Sequence, residues 1–327
     1  MKVNRRVIVK ASAAFTLPSF TLGASAANWP AKSVRLFVPF PPGGGVDVST
    51  RMLAEQLSIM WGQGKNVIVD NRPGANTIIA ASAALSAPKD DHNFLASINL
   101  TRQLKYLGQK IPFDAQADLI PVGAITVEQL VLVVNASSGV NAFEEFTNWA
   151  RKKNAGLNFG TFALGSLAHL TALQIAKQLD LKITPVHYRG SAPAVQALLS
   201  GEIDITLSNL GTVQQHISAG KLTPLTVTGS KRYRFAPKLP TMGEVGVTGL
   251  EFISWVGVFA PVGTSHSVVT SMSTEMQKAL QNKDLINKFN SFYQEPGQFS
   301  LEEFQELIRQ DDFMAQKLIK DHNVRLE

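Results

Sequence analysis

Short apolar runs rich in Val, Ile and Phe alternate along this chain with stretches whose apolar residues recur every three or four positions. The runs SVRLFVPF, KNVIVD, HNFLASI, LVLVVN, GLNFGTF, KITPVHY, IDITLS and LTPLTVTG predict β-strands. The segment after the first run places Val48, Met52, Leu53, Leu57 and Met60 on one helical face. TIIAASAALSAP, AFEEFTNWARKKN, LAHLTALQIAKQL and SAPAVQALLSGE predict further helices. The tail SLEEFQELIRQDDFMAQKLIKDH predicts a long one, with Phe304, Leu307, Ile308, Ala315 and Leu318 turned inward. Strand–helix alternation of this kind predicts an α/β fold with two mostly parallel sheets flanked by helices. In such sheets ligands sit beyond the carboxyl ends of strands, in the loops that lead into helices.

Length and charge narrow the picture. The 327 residues are 45% hydrophobic and 17% charged, ordinary globular composition for about two domains. The net charge of +6 is concentrated at the start: Lys2, Arg5, Arg6 and Lys10 have no acid among residues 1–26, which leaves +2 for the rest. With no basic stripe and no interleaved aromatics, nucleic acid is not an expected partner. Residues 1–26 read as an export signal, with a basic start, the short apolar stretch ASAAFTLPSFTLG and the small residues Ala24 and Ala26 at a cleavage site. The Arg5-Arg6 pair resembles a twin-arginine signal, with a Sec signal as the alternative. The absence of cysteine fits an oxidising compartment without requiring one. The uncharged run 252–274 is about as long as a membrane span, but Pro261, Gly263, His266 and its many Ser and Thr predict a buried strand, a turn and a helix start instead.

The loops carry the chemistry. In PFPPGGGVD, the glycines at 43–45 let a ligand approach the main chain, and the helix that opens beside them exposes unpaired N–H groups and a positive dipole end. Together these suit a carboxylate or a phosphate. Asp47 is a helix cap or a ligand contact. A dinucleotide-binding unit, suggested by the Gly-x-Gly turn and by Asp70 ending the second strand, lacks its third glycine and has two stiffening prolines. GQGK at 62–65 lacks the spacing and the Ser or Thr of a P-loop. The six histidines have no metal-like spacing, no Gly-x-Ser-x-Gly elbow occurs, and no cofactor or catalytic residue is expected.

PFPPGGGVD, NRPGAN, LGSLAHL, HYRGSAPAVQALLSGEIDI and SWVGVFAPVGT, in this order, resemble the Bug-type (TctC-like) periplasmic receptors of tripartite tricarboxylate transporters over essentially all of the chain after the signal. The resemblance implies a two-domain periplasmic-binding-protein (Venus flytrap) fold with a two-strand hinge. The domains would be 27–128 with 253–327, and 129–252, with crossovers near 128–131 and 253–258. It implies a monomer that holds a small organic carboxylate, a di- or tricarboxylate or an aromatic acid, between the domains and delivers it to transporter membrane subunits. A sensor that signals to a membrane kinase is the alternative. The loop with Phe40, Pro42, Gly43, Gly44 and Asp47 and the loop with Thr161, Gly165 and Ser166 would together hold the carboxylate. His169 either bonds its own loop or touches the ligand. Ala75, Asn76, Ser97, Asn99, Ser191 and Asn209 belong to further cleft loops, Ser191 with a helix N-cap as its structural alternative. Arg189 is read as solvated.

The chain departs from the family pattern in places. Asn76-Thr77-Ile78 stands where a glycine-rich run is usual, and Ser208 stands where an Asp usually precedes Asn209. Phe162, Ala163, Leu164 and Leu167 make the second loop bulkier, which favours an aromatic or longer-chain acid. Arg102 is read as an exposed arginine or as a partner for a distal carboxylate.

Overall fold

A computed structural model of the chain describes residues 29–62, 64–108 and 111–325. The expected signal at 1–26 lies outside the described residues. Strands β1 (Val34–Val38), β2 (Val67–Asn71), β3 (Asn93–Ile98) and β4 (Leu119–Glu128) are joined through helices α1 (Gly45–Trp61), α2 (Ile78–Ser86) and α3 (Asn99–Gln103). The chain then crosses to β5 (Leu130–Asn135), α4 (Phe143–Lys152), β6 (Leu157–Thr161), α5 (Leu167–Leu179), β7 (Ile183–His187), α6 (Ser191–Ser200), β8 (Ile205–Asn209), α7 (Leu210–Ser218) and β9 (Leu222–Val227). It returns to the first sheet as β10 (Ser254–Pro261), then α8 (His266–Leu280), α9 (Lys283–Ser291), β11 (Glu295–Pro296) and α10 (Leu301–Asp321).

The first sheet has six strands in the order β11-β4-β10-β3-β1-β2, and the second has five in the order β7-β6-β8-β5-β9. Both are mixed, which corrects the expectation of mostly parallel pairing. β10 pairs antiparallel with β3 and β4, and β5 pairs antiparallel with β8 and β9, while β1, β2 and β3 and likewise β6, β7 and β8 stay parallel. Each reversed strand adjoins a crossover. One crossover is Gln129 alone, between β4 and β5; the other is 228–253, between β9 and β10.

Both faces of the first sheet are covered, so its strands carry apolar side chains at consecutive positions rather than alternate ones. Leu36 and Phe94 pack against Leu53 of α1 and Met276 of α8, whereas Phe37 packs on the other face with Trp255, Phe259 and Phe304. In the second sheet, Val131 and Val133 pack with Val195 and Leu198 of α6. The inward face of α1 differs from the expected one. Asp47, Ser49, Thr50, Leu53, Ala54 and Leu57 are buried, and Met60 is exposed. Burial of Ser49 and Thr50 is tolerated because their hydroxyls donate to Gly45 O (2.8 Å) and Val46 O (2.6 Å). The long uncharged run becomes β10, a turn and the start of α8, as its prolines and glycines predict. No helix among the described residues is long and apolar enough to cross a membrane.

Candidate functional site

The start of α1 is shaped by Asp47. Its Oδ2 accepts the Gly43 amide (2.9 Å), its Oδ1 accepts Asn71 Nδ2 (2.8 Å), and Arg51 Nε donates to both oxygens (3.0 Å each). Burial pushes the Asp47 carboxyl up, but the bonds from Arg51, Gly43 and Asn71 outweigh it and hold the group below its ordinary value. Asp47 thus ties the loop to the helix and is fully engaged. Gly43 sits at φ +85°, where a side chain would be strained. Gly44 is the N-cap and no side chain caps this helix, so its first main-chain N–H groups stay available.

These residues form one wall of a cavity of about 340 Å³ between the sheets. Phe40, Pro42, Gly43, Gly44 and Val46 line it on the first-sheet side with Ile98, Ser254 and Val256; Phe162, Arg189, Ser191 and Asn209 line it on the second. Glu128 and Leu130, either side of the single-residue crossover, also line it. Three uncapped helix starts surround the Glu128–Asn209 corner: Gly44–Val46 of α1, Gly190–Ala192 of α6 and Asn209–Thr212 of α7. Each presents the positive end of a peptide dipole. Arg189 is exposed and lies on the same rim.

On the second-lobe side it is the start of α6, not that of α5, that lines this cavity. Gly165 N donates to His169 Nδ1 (2.9 Å), and the Ser166 hydroxyl donates to Ala163 O (2.7 Å) while accepting His169 N (3.4 Å). The Gly165 amide and the Ser166 hydroxyl are thus both committed within their own loop. Burial first, and then the neighbouring His187, pull His169 down to about 4, so its ring is neutral and its Nδ1 free to accept. Thr161 Oγ1 meets His187 Nδ1 at 2.7 Å beneath the same loop. Ser191 is the first residue of α6, and its hydroxyl donates to Asn209 Oδ1 (3.0 Å) rather than capping the helix. The Asn209 amide in turn donates to Glu128 Oε1.

A second cavity, of about 640 Å³, shares Phe40, Pro41, Phe162 and Arg189 with the first. Ala75 and Asn76 line it, together with Leu164 and Tyr188. Ala75, Asn76 and Thr77 are all left-handed, at φ +46°, +49° and +80°. Three such residues in a row, one of them β-branched, store strain where a glycine run would hold the same path freely. Ser97 and Asn99 face the core instead: Ser97 Oγ lies 2.6 Å from Thr101 Oγ1, and Asn99 Nδ2 donates to Asp311 Oδ2 (3.0 Å). Arg102 is neither exposed nor in a cavity. It is buried, donates to Ala115 O (2.9 Å) and Leu119 O (3.3 Å), and pairs with Asp312 (3.6 Å), so neither expectation for it holds.

Glu128 was missed as a site residue. The signal was available, since it is the one charged residue between Asp118 and Glu144, in an otherwise apolar run. Burial pushes its carboxyl up to about 7, against the pull of the hydrogen bond from Asn209 and, second to it, of the nearby Gln294 amide. Among the described residues no group of three metal-ligating side chains occurs.

Residues 49–324 match the family model described as tripartite tricarboxylate transporter family receptor. The chain is 32% identical over 324 residues to a UPF0065 protein from the tcbD-tcbE intergenic region of Pseudomonas sp., covering 98% of this chain and 95% of that one. It is 32% identical to protein BugT of Bordetella pertussis over 267 residues, 81% of each chain. Among solved structures, R. palustris Rpa4515 with adipate superposes with a TM-score of 0.85 at 32% identity, covering 91% of this chain and 99% of that one. The receptors of this family bind solutes in the periplasm and are not enzymes. On these grounds the chain belongs to the tripartite tricarboxylate transporter receptor family, with the two-lobed α/β fold of periplasmic binding proteins.

Proposed function

We propose that the protein captures a small organic carboxylate between its two lobes for the membrane subunits of a tripartite transporter. The observation that carries the reading is that the uncapped starts of α1 and α6 line one cavity of about 340 Å³ from opposite sides, with Asn209, the N-cap of α7, between them. Main-chain N–H groups and aligned dipoles favour an anion without adding a fixed charge. The head group lies against Gly43, Gly44 and Val46 from one lobe and Ser191 from the other. The body extends past Phe40 and Phe162 into the second cavity, beside Ala75 and Asn76. That volume and its aromatic lining favour an acid longer than a bare head group. Adipate, bound in the relative at 32% identity, is such an acid.

An anion bridging α1 and α6 bonds both lobes at once and so favours the closed arrangement over the open one. The moving units are 27–128 with 253–327, and 129–252, pivoting at Gln129 and 228–253. Residues 1–26, with the Arg5-Arg6 pair, export the chain to the periplasm. The test is a thermal-unfolding screen against mono-, di- and tricarboxylates, aliphatic and aromatic. At 100 times its Kd a ligand adds about 2.7 kcal/mol to stability. At least one acid should raise the melting temperature and be recovered unchanged. A shift caused only by neutral or cationic solutes would overturn the reading.

A further inference from the structure

Glu128 ends β4 at the single-residue crossover and is 5% exposed. Its Oε1 accepts the Asn209 amide, but its Oε2 is buried with no hydrogen-bond partner. An orphaned carboxyl oxygen is costly inside a protein unless something meets it. Glu128 lines the 340 Å³ cavity and also a neighbouring one of about 170 Å³, which places it at the centre of the proposed anion site.

The charged and titratable groups around it do not relieve the problem. On the 228–253 connector, Tyr233 directs its hydroxyl to Tyr293 O. On α1, Asp47 is locked to Arg51. On β11, Glu295 pairs with Arg234 at 3.4 Å, and the adjoining Gln294 amide pulls on the Glu128 carboxyl without making a hydrogen bond to Oε2. Arg189 is on the outer rim, with no hydrogen bond to Glu128. An incoming carboxylate therefore brings a second negative charge into a cavity that already holds an acid. Two carboxyl groups sharing one desolvated site keep a proton between them.

We propose that the receptor binds its organic acid together with one proton, carried on Glu128 Oε2, which donates to the ligand carboxylate. This rests on the carboxylate reading above. The proton comes from solvent, no covalent bond to the ligand changes, and the bound pair carries one negative charge. Asn209 fixes the polarity: because it donates to Oε1, the proton belongs on Oε2. Burial holds Glu128 at about 7 in the empty site, so near neutral pH about half the molecules already carry the proton.

The experiment is calorimetric titration of the protein with adipate, malate and benzoate, at pH 7.5 and 9, in buffers of differing ionisation heat. These acids are already ionised there, so any proton taken up goes to the protein. The expected result is uptake approaching one proton per ligand and a Kd that rises about 25-fold between the two pH values. Glu128→Gln keeps a neutral N–H donor in the same volume, so it should bind with no uptake and a flat Kd. Uptake near zero with a flat Kd in the wild type would overturn the proposal whatever the variant does, and would leave the carboxylate reading standing. A Kd in Glu128→Gln that still rises with pH would also overturn it. Failure of every acid to bind at either pH would instead sink the carboxylate reading itself.

Discussion

Gly44 separates folding from binding more cleanly than any other residue of the site. Its backbone lies at φ −76° and ψ 163°, an extended conformation that valine prefers. A Cβ added there would meet only Pro41 O, at 3.6 Å, an ordinary contact. Gly44→Val gains about 0.4–1 kcal/mol by restricting the unfolded chain and loses a similar amount as a poorer N-cap. Stability should therefore stay within about 1 kcal/mol of the parent in a denaturant titration. Binding should fare differently, because Gly44 lines the cavity and its new methyl groups would stand over the first N–H groups of α1. Loss of two charge-assisted hydrogen bonds at about 1.5–3 kcal/mol each amounts to about 3–6 kcal/mol, or roughly a 10²–10⁴-fold rise in Kd. The assay is titration calorimetry with the best acid from the thermal screen, run beside the unfolding curve. A valine variant that binds within threefold of the parent would refute the claim that the α1 corner holds the anion.

Two further outcomes follow from the same geometry. Gly165 sits at φ +75°, with Leu107 Cδ1 of the other lobe 2.4 Å from where a Cβ would stand. Gly165→Ala should cost about 2–5 kcal/mol, of which about 1–2 is backbone strain; adding Leu107→Ala should recover the packing part, so additive effects in a double-mutant cycle would contradict it. Glu128 and Asp311 are both raised by burial to about 7, so the folded form holds their protons more tightly than the unfolded form. Their contribution is complete below about pH 4 and is lost as pH rises through 7, whereas His169, lowered to about 4, contributes stability that appears as pH rises from 4 to 6.5. The wild-type profile is a partial cancellation, and the advantage of Glu128→Gln over it should grow by up to about 3 kcal/mol between pH 5 and pH 8. Parallel unfolding profiles for the two proteins would show that Glu128 is not held protonated.

The strands whose β-branched runs end at a Gly, Pro or Asn were legible, because packing on both faces writes itself as consecutive apolar residues. β4 was not: Pro121 and Gly123 break its run, and they are tolerated because β10 shifts register against it between Val258 and Phe259. The reversal of β5 and β10 leaves no periodic trace, since an apolar run has no direction. In the site, the α1 corner is readable from its glycines, whereas the two Gly-Ser corners of the second lobe look alike in the sequence. Gly165-Ser166 and Gly190-Ser191 are the same dipeptide before a helix. What separates them is four residues on. His169 reaches back to take the Gly165 amide, whereas Ala194 has no acceptor to offer. Arg102 and Asn99 turn inward because polar partners from α10 and from the turn before β4 reach them in three dimensions only, while Ser97 is met locally by Thr101.

The place of β10 also bears on when the protein can finish folding. It fills the gap between β3 and β4, yet it leaves the ribosome long after both, since β3 ends at Ile98 and β10 begins at Ser254. Until then two inner strands stand with open hydrogen-bonding edges, while the second sheet, encoded without interruption from Leu130 to Val227, already has every strand it needs. Assembly of the first sheet must await this distant partner and the loop closure it entails, so completion is slow and late. A nascent chain cut short of residue 254 would carry one finished half and one adhesive, unfinished half.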